Sequence, residues 1–224
     1  MQTDLTNGSV LTNIALFSLP FFLSYFLQTL YGLADLFIIG QFDGVDSITA
    51  VSIGSQIMHM ITVMIVGLSM GATVCIAQAV GAKDKEKLRY CIGNTVTVFF
   101  IVSLILTGLL LFFTDFIVGV VKTPAEAVAA TKEYLIICFI GIPLITAYNI
   151  VSSILRGMGD SKSPMYFIAI ACVANIILDY VFIGYFKLGA VGAALGTTLS
   201  QGISVICALT YINSNNSSDS FSFA

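Results

Sequence analysis

Six long runs of mostly apolar residues, separated by short polar segments, dominate the sequence. The runs cover residues 14–40, 47–82, 91–114, 134–155, 163–186 and 189–211. A membrane-spanning helix needs about 20 apolar residues, because each residue advances about 1.5 Å and the hydrocarbon core is about 30 Å thick. Every run is long enough to cross, so the sequence predicts an all-α membrane protein with six transmembrane helices.

The composition agrees with a chain that meets lipid over most of its surface. Hydrophobic residues make up 58% of the 224 residues and charged residues 9%, whereas a soluble domain carries about 25% charged residues. The nine Lys and Arg residues are too few to build a phosphate-binding surface, so we expect no nucleic-acid partner. The sequence has no evident nucleophile–base pair or phosphate loop, and we therefore expect neither an enzyme nor a cofactor.

Basic residues are distributed unequally between the two sides of the predicted membrane. Six follow the second and fourth runs, namely Lys83, Lys85, Lys87, Arg89, Arg156 and Lys162. Three lie on the other side, namely Lys122, Lys132 and Lys187. The positive-inside rule places the richer side in the cytoplasm. We therefore expect a cell-membrane protein with both termini inside: a cytoplasmic segment 1–13, a six-helix lobe 14–212 and a polar, disordered tail 213–224.

Cysteine and glycine positions lead to expectations about packing. The five cysteines are Cys75, Cys91, Cys138, Cys172 and Cys207. Their number is odd and none forms a CxxC pair, so we expect them to pack among apolar side chains and not to form disulfides. The pairs Gly67–Gly71 and Gly192–Gly196 have GxxxG spacing, which lets helix backbones approach closely. Pro143, within the fourth run, predicts a kink.

Two carboxylates interrupt the apolar runs, Asp35 in the first and Asp179 in the fifth. An ionised carboxylate at membrane depth is costly, so such residues usually face a cavity or a partner and indicate an ion path. The alternative is that each lies near the membrane surface and reaches water. His59, the single histidine, also lies in an apolar run, and alone it cannot build a histidine metal site.

Two further oxygen-bearing residues fall at a similar depth in the outer half of the membrane. Asn175 lies one helical turn from Asp179 on the same face, and Thr197 lies about 12 Å into the sixth run. Together with Asp35, these residues supply the oxygen ligands that a hard cation such as Na⁺ prefers. Alternatively, two neighbouring carboxylates in an apolar pocket share a proton. The sequence therefore predicts an ion-binding site for Na⁺ or H⁺, with the four residues as metal ligands if Na⁺ is the ion.

Other polar residues in the runs have two possible roles. They are Gln28, Tyr31, Gln56, Gln78, Tyr148 and Asn149. Each can form a hydrogen bond between helices, and each can also line a cavity. Gln28, Tyr31, Tyr148 and Asn149 are our candidates for the cavity wall.

Five segments, in order along the chain, resemble the multidrug and toxin extrusion (MATE) family of transporters. They are LYGLADLFIIGQF, GLSMGATVCIAQAVGAKDKEKL, ILRGMGDSKSPMYF, NIILDYVFI and LGAVGAALGTTLSQ. They resemble the end of the family's first helix, its second helix with the following cytoplasmic loop, the segment joining helices four and five, and helices five and six. The resemblance runs from about residue 14 to residue 212.

The resemblance implies a fold and an activity. The family has twelve helices in two six-helix lobes, and this chain resembles the N-terminal lobe. The family exports drugs and other small organic, mostly cationic solutes by antiport with Na⁺ or H⁺. Its ion-binding residues match Asp35, Asn175, Asp179 and Thr197, in agreement with the argument from depth.

The chain departs from the family where a second lobe would follow, because a single lobe cannot enclose a cleft between lobes. It is a truncated gene product, a fragment of a longer protein, or a half-transporter that pairs with a second chain. Two alternative functions follow. One is a non-transporting remnant or membrane subunit. The other is a lipid-linked oligosaccharide flippase, which the absence of Lys and Arg inside the runs disfavours.

Overall fold

The computed structural model describes residues 9–216, which are almost entirely helical. The helices are α1 (Val10–Phe42), α2 (Val45–Gly81), α3 (Lys85–Phe112), α4 (Thr114–Val120), α5 (Val128–Ile140), α6 (Ile142–Gly157), α7 (Lys162–Asp179) and α8 (Gly189–Asn216). A 3₁₀ turn, Ala125–Ala127, precedes α5, and a π-helical segment, Tyr180–Tyr185, continues α7. The prediction of an all-α membrane protein is confirmed.

Five helices are long and apolar enough to cross a membrane, and a bent pair supplies a sixth crossing. The pair joins the 3₁₀ turn and α5 to α6 with a bend of 45°. The break lies at Gly141, two residues before Pro143. Because proline lacks an N–H donor, it is tolerated in the first turn of α6 but cannot continue the hydrogen bonds of α5. The predicted kink in the fourth run is therefore a break between two helices.

Two aspartates fix the starts of helices on the side with more basic residues. The carboxylate of Asp84 accepts a hydrogen bond of 2.9 Å from the Lys87 backbone N–H and caps α3. Asp160 caps α7 by accepting bonds from the backbone N–H groups of Lys162 (3.1 Å) and Ser163 (3.0 Å). Such caps satisfy N–H groups that have no partner within the helix.

The helices differ greatly in how much of their surface the lobe covers. Twelve of the sixteen residues of α6 are buried, whereas only Thr95 and Ser103 are buried in the 28 residues of α3. Helix α6 thus forms the centre of the bundle. Helix α3 presents a surface of large apolar side chains, as expected for a helix that faces lipid.

The two glycine pairs behave differently. A methyl group at Gly192 would lie 3.1 Å from Ile183 Cγ1, so α8 and the π-helical segment pack in close contact there. Gly67 and Gly71 have no atom of another helix within 4 Å of the position a methyl group would take. The expectation of close packing was therefore right for Gly192–Gly196 and wrong for Gly67–Gly71, because spacing alone does not determine which face of α2 meets a neighbour.

The expectation for the cysteines was wrong for one pair. Cys75 on α2 and Cys91 on α3 form a disulfide, with 6.4 Å between their Cα atoms. Cys138 and Cys172 are buried free thiols, as expected, and Cys207 is half-buried. The formation of this disulfide depends on α2 and α3 being neighbours, and the apolar runs in the sequence do not indicate which helices are neighbours.

The predicted end segments fall only partly within the described residues. Helix α1 begins at Val10, within the predicted segment 1–13, and residues 1–8 lie outside the described part of the chain. Helix α8 continues to Asn216, four residues into the predicted tail 213–224. The remainder of that tail, residues 217–224, lies outside the described part.

Candidate functional site: a buried carboxylate cluster beside a cavity

Three helices bring the predicted ion-binding residues to one place in the bundle. Asp35 lies seven residues before the end of α1, and its side chain is 2% exposed. Asn175 and Asp179 lie one turn apart on α7 and are both 0% exposed. Neither carboxylate reaches bulk water, so the alternative that they lie at the membrane surface does not describe this fold.

The fourth residue, Thr197 on α8, contacts the first directly. Its hydroxyl donates a hydrogen bond of 3.1 Å to Asp35 Oδ2. The side chains of Asn175 and Asp179 are also close enough to Asp35 to interact with it. With both carboxylates ionised, the polar atoms of Asn175 and Asp179 have no hydrogen-bond partner among the described residues. We call these four residues the carboxylate cluster.

Among the described residues, the carboxylate cluster contains five buried polar atoms with no hydrogen-bond partner. They are Asp35 Oδ1, Asn175 Oδ1 and Nδ2, and Asp179 Oδ1 and Oδ2. Buried polar groups are almost always paired, since an unpaired group costs about 1–3 kcal/mol and a charged one costs more. Within residues 9–216, the salt bridge found joins Lys132 to Asp115 and does not involve the cluster. The geometry therefore suits a small cation or a proton that satisfies these oxygens.

Gly196 makes room for the Asp179 carboxylate. It lies on α8 next to Thr197, and a methyl group there would overlap Asp179 Oδ1. Any larger residue at this position would displace the carboxylate or separate α7 from α8. The short distance between these two helices thus sets where the Asp179 oxygens lie.

A cavity of about 540 Å³ opens beside the carboxylate cluster. Asp35 and Thr197 line it, whereas Asn175 and Asp179 lie behind them and do not. The four cavity candidates, Gln28, Tyr31, Tyr148 and Asn149, all line the cavity, as does Gln56. Gln78 is not among the lining residues and is exposed near the end of α2.

Sequence reasoning missed several residues of the cavity wall, among them Gln201 and His59. Gln201 Nε2 lies 3.5 Å from Tyr31 Oη, and it follows Thr197 by one helical turn, so the i, i+4 rule could have found it. His59 lines the cavity on α2 and is exposed there. The signal that could have found it is the position of a histidine in an apolar run.

The cavity suits an organic cation better than an anion. Its described lining contains no Lys or Arg. It does contain one carboxylate, from Asp35, and the side chains of four tyrosines: Tyr25, Tyr31, Tyr134 and Tyr148. Aromatic rings attract cations through their negatively polarised faces. A positive solute thus finds both an acidic group and aromatic surface, and it meets no Lys or Arg among the described lining residues.

One basic residue enters the bundle outside the cavity lining. Arg156 lies in the last turn of α6, one residue beyond the predicted fourth run, and is half-buried. Its guanidinium carbon lies 4.8 Å from the centre of the Phe21 ring. A cation at this end of a helix is stabilised by the helix dipole and by the ring.

Comparison with known proteins identifies the family of the chain. The MatE family model matches residues 20–181. YpnP of Bacillus subtilis, a probable multidrug resistance protein, is 34% identical over 209 residues, which are 93% of this chain and 47% of that protein. The chain spans about half the length of the curated relatives it matches.

Solved structures resemble the described lobe closely. A crystal structure of MATE in the bent conformation has a TM-score of 0.87 and 28% identity, covering 94% of this chain and 48% of that one. The outward-facing conformation of a multidrug resistance MATE family transporter of the MOP superfamily has a TM-score of 0.85 and 29% identity. It covers 95% of this chain and 48% of that structure.

Proposed function

Because the chain belongs to the MATE family, we propose that it works as one six-helix lobe of a secondary active antiporter. The transporter exports drugs or other organic, mostly cationic solutes in exchange for Na⁺ or H⁺. The coupling ion binds at Asp35, Asn175, Asp179 and Thr197. The organic solute binds in the cavity that begins at Asp35.

The five unpaired polar atoms of the carboxylate cluster are the observation that carries the proposal. Two carboxylates and an amide are buried together, and among the described residues only Asp35 Oδ2 has a hydrogen-bond partner, Thr197. A bound Na⁺ accepts several oxygen ligands at once, as hard cations do. A proton satisfies one oxygen and lets the carboxyl group bond its neighbour. Either ion offsets the cost of burying these groups.

Asp35 is the group through which ion and solute influence each other. It belongs to the carboxylate cluster and also lines the cavity, whereas Asn175 and Asp179 are sealed behind it. An ion bound to Asp35 neutralises the single carboxylate of the cavity lining and weakens the attraction for a cationic solute. Coupling of this kind is reciprocal, so a bound solute also weakens ion binding.

A second six-helix lobe is proposed to cover the open side of the cavity. Gln56 and His59 are exposed on its wall. If the lobe stood alone in a bilayer, these polar side chains would meet hydrocarbon, which is unfavourable. A second lobe from another chain or from a longer form of this protein gives them a polar environment.

The proposal also includes an orientation in the cell membrane. The loops with more basic residues, and with them both termini, face the cytoplasm. The cavity lining, without Lys or Arg, gives no support for a flippase of lipid-linked oligosaccharides, whose pyrophosphate group needs cations. Arg156 near Phe21 lies outside this lining.

Two measurements test the proposal separately. Efflux of a lipophilic cationic dye is measured in cells that lack their own major efflux pumps. The cells express the unaltered chain, the Asp35→Asn variant or the Asp179→Asn variant. Asp115→Asn is the matched control, because Asp115 is exposed and forms a surface salt bridge. We expect efflux from the wild type and the control and its loss in both cluster variants. Equal efflux in all four, above that of cells without the chain, would reject the assigned role.

The second measurement does not require transport. The purified chain is unfolded thermally in detergent, followed by circular dichroism, with NaCl or choline chloride at several pH values. A ligand that binds only the folded state raises the unfolding temperature. We expect stabilisation by Na⁺ or by protons in the wild type and in Asp115→Asn. Stabilisation that persists unchanged in both cluster variants would place the ion elsewhere.

A further inference from the structure

A disulfide joins two neighbouring helices at the end of the lobe opposite to the carboxylate cluster. It links Cys75 to Cys91, and these residues are separated by 16 positions. Cys75 lies six residues before the end of α2, and Cys91 lies six residues after the start of α3. Each is therefore about 9 Å along its helix from the turn that connects the two. The pair plays no part in the cavity or in the ion site.

The pair is open to water. Both cysteines line a groove of about 460 Å³ together with the charged residues Asp84, Glu86 and Lys87. These three charged side chains are exposed. Helix α2 has 37 residues and is about 56 Å long, nearly twice the thickness of a hydrocarbon core. Because the charged residues 83–87 follow this end of α2, we take it to be the end that extends beyond the hydrocarbon, where small water-soluble thiols and disulfides reach it.

The charge of the adjoining turn indicates which compartment the pair faces. Lys83, Lys85, Lys87 and Arg89 are the largest basic group in the chain, which favours the cytoplasmic side. The cytosol keeps most thiols reduced, and disulfides found there are usually transient or regulatory. A pair positioned for bonding on that side is thus placed to respond to oxidation.

We propose that Cys75 and Cys91 form a reversible dithiol–disulfide switch that ties α2 to α3. The oxidant is a low-molecular-weight disulfide. One cysteine thiolate attacks it, forms a mixed disulfide and releases one thiol. The second cysteine thiolate then attacks the mixed disulfide, forms the Cys75–Cys91 bond and releases a second thiol. Two protein thiols are oxidised, one disulfide molecule is reduced to two thiols, and a reducing dithiol reverses both steps.

The position of α2 explains what the switch controls. The half of α2 away from the pair supplies cavity-lining residues, among them Ser55, Gln56, His59 and Thr62. The disulfide holds the other half of this helix to α3. A movement of α2 relative to α3 that opens or closes the cavity is restricted in the oxidised state and free in the reduced state. This effect on transport rests on the proposed function, whereas the thiol chemistry does not.

Counting thiols tests the chemistry. The purified chain is treated with glutathione disulfide or with a reducing dithiol, and the reagent is then removed. The chain is denatured in detergent, and its free thiols are labelled with a maleimide–polymer. Each label shifts the mobility of the chain on a gel. We expect three labels after oxidation and five after reduction, because the chain has five cysteines and three are free in the disulfide form. Cys75→Ser and Cys91→Ser should carry four labels after reduction and at least three after oxidation, because the remaining cysteine can hold a mixed disulfide with glutathione but cannot complete the bond.

A matched control removes a cysteine outside the pair. Cys207→Ser is expected to keep a difference of two labels, because Cys207 is a free, half-buried thiol. Equal label counts in both conditions for the wild type would overturn the switch, as would a difference of two that persists in Cys75→Ser. A disulfide that survives the reducing dithiol under native conditions would identify a permanent structural bond instead.

Efflux measured in the two redox states tests the control of transport. Oxidation is expected to slow dye efflux by the wild type at least about twofold, with recovery on reduction and no response in Cys91→Ser. Equal efflux in both states, with the label counts changing as expected, would reject control of transport by the pair. If no variant exports dye even when reduced, the proposed transport function fails, while the label counts still decide whether the pair is a switch.

Discussion

The Thr197 hydroxyl donates a hydrogen bond of 3.1 Å to Asp35 Oδ2 and thereby joins the last long helix of the lobe to the first. The two residues are 162 positions apart. A bond from a neutral donor to a carboxylate that is 2% exposed is stronger than one at the surface. The pair therefore orients one oxygen of Asp35 and leaves Oδ1, the oxygen without a partner, available to an ion.

Replacing Thr197 by valine should weaken Na⁺ binding without unfolding the lobe. Valine has nearly the same shape but no oxygen, so the site loses one of its four proposed ligands. Loss of one oxygen ligand should weaken the affinity for Na⁺ by about tenfold or more. Thr210→Val is the control on the same helix, because the Thr210 hydroxyl bonds only the Ile206 carbonyl oxygen. Ion titration followed by thermal unfolding measures both, and equal affinities would contradict the prediction.

The two cluster aspartates should respond differently to the organic solute. Asp35→Asn removes the carboxylate that lines the cavity, so binding of a cationic dye should weaken by about tenfold or more. Asp179→Asn alters a side chain sealed from the cavity and should reduce dye binding much less. Fluorescence titration of the purified chain with the dye provides the comparison. A larger loss in Asp179→Asn than in Asp35→Asn would refute the arrangement.

Gly196→Ala should disturb the ion site, whereas Gly71→Ala should not. The added methyl group would overlap Asp179 Oδ1 at Gly196, but it meets nothing within 4 Å at Gly71. Overpacking of this kind costs about 1–3 kcal/mol, so we expect a lower unfolding temperature and weaker ion binding in Gly196→Ala alone.

A double variant shows whether the effect acts through Asp179. In an Asp179→Ala background the oxygen that the methyl group would meet is gone, so adding Gly196→Ala should change the unfolding temperature little. An equally large loss in that background would mean that Gly196 acts on helix packing in general.

Asp160→Ala should destabilise the lobe more than Asp84→Ala, although both aspartates cap a helix. Asp160 is 5% exposed and also accepts bonds from the Ser163 hydroxyl (2.6 Å) and the Tyr211 hydroxyl (3.4 Å). Its removal leaves the buried Ser163 hydroxyl unpaired, at about 1–3 kcal/mol, and also removes the partner of the half-buried Tyr211 hydroxyl, whereas loss of an exposed cap costs about 1 kcal/mol. Thermal unfolding followed by circular dichroism compares them. A larger loss in Asp84→Ala would contradict this account.

The carboxylate cluster was accessible to sequence reasoning because hydrocarbon makes polar residues conspicuous. Asp35 and Asp179 stand out in apolar runs, and helical periodicity then adds Asn175. Thr197 required an estimate of depth as well. The cluster thus followed from residue type and position along each helix, without knowledge of which helices are neighbours.

Features that depend on contacts between helices were not accessible in this way. The Cys75–Cys91 bond requires that α2 and α3 present these faces to each other, and Gly196 gains its role only because Asp179 lies opposite. The break at Gly141 lies inside one continuous apolar run, so hydropathy could not separate α5 from α6. Pro143 indicated a disturbance there but not its extent.

The contrast between α6 and α3 has a consequence for mutational tolerance. In α6, where twelve of sixteen residues are buried, nearly every substitution changes the fit against another helix. In α3, where two of 28 residues are buried, most positions need only remain compatible with lipid. Deep mutational scanning should therefore find α3 permissive to exchanges among Leu, Ile, Val and Phe. The same exchanges in α6 should be selected against, so relatives diverge fastest along the helix that contacts its own protein least.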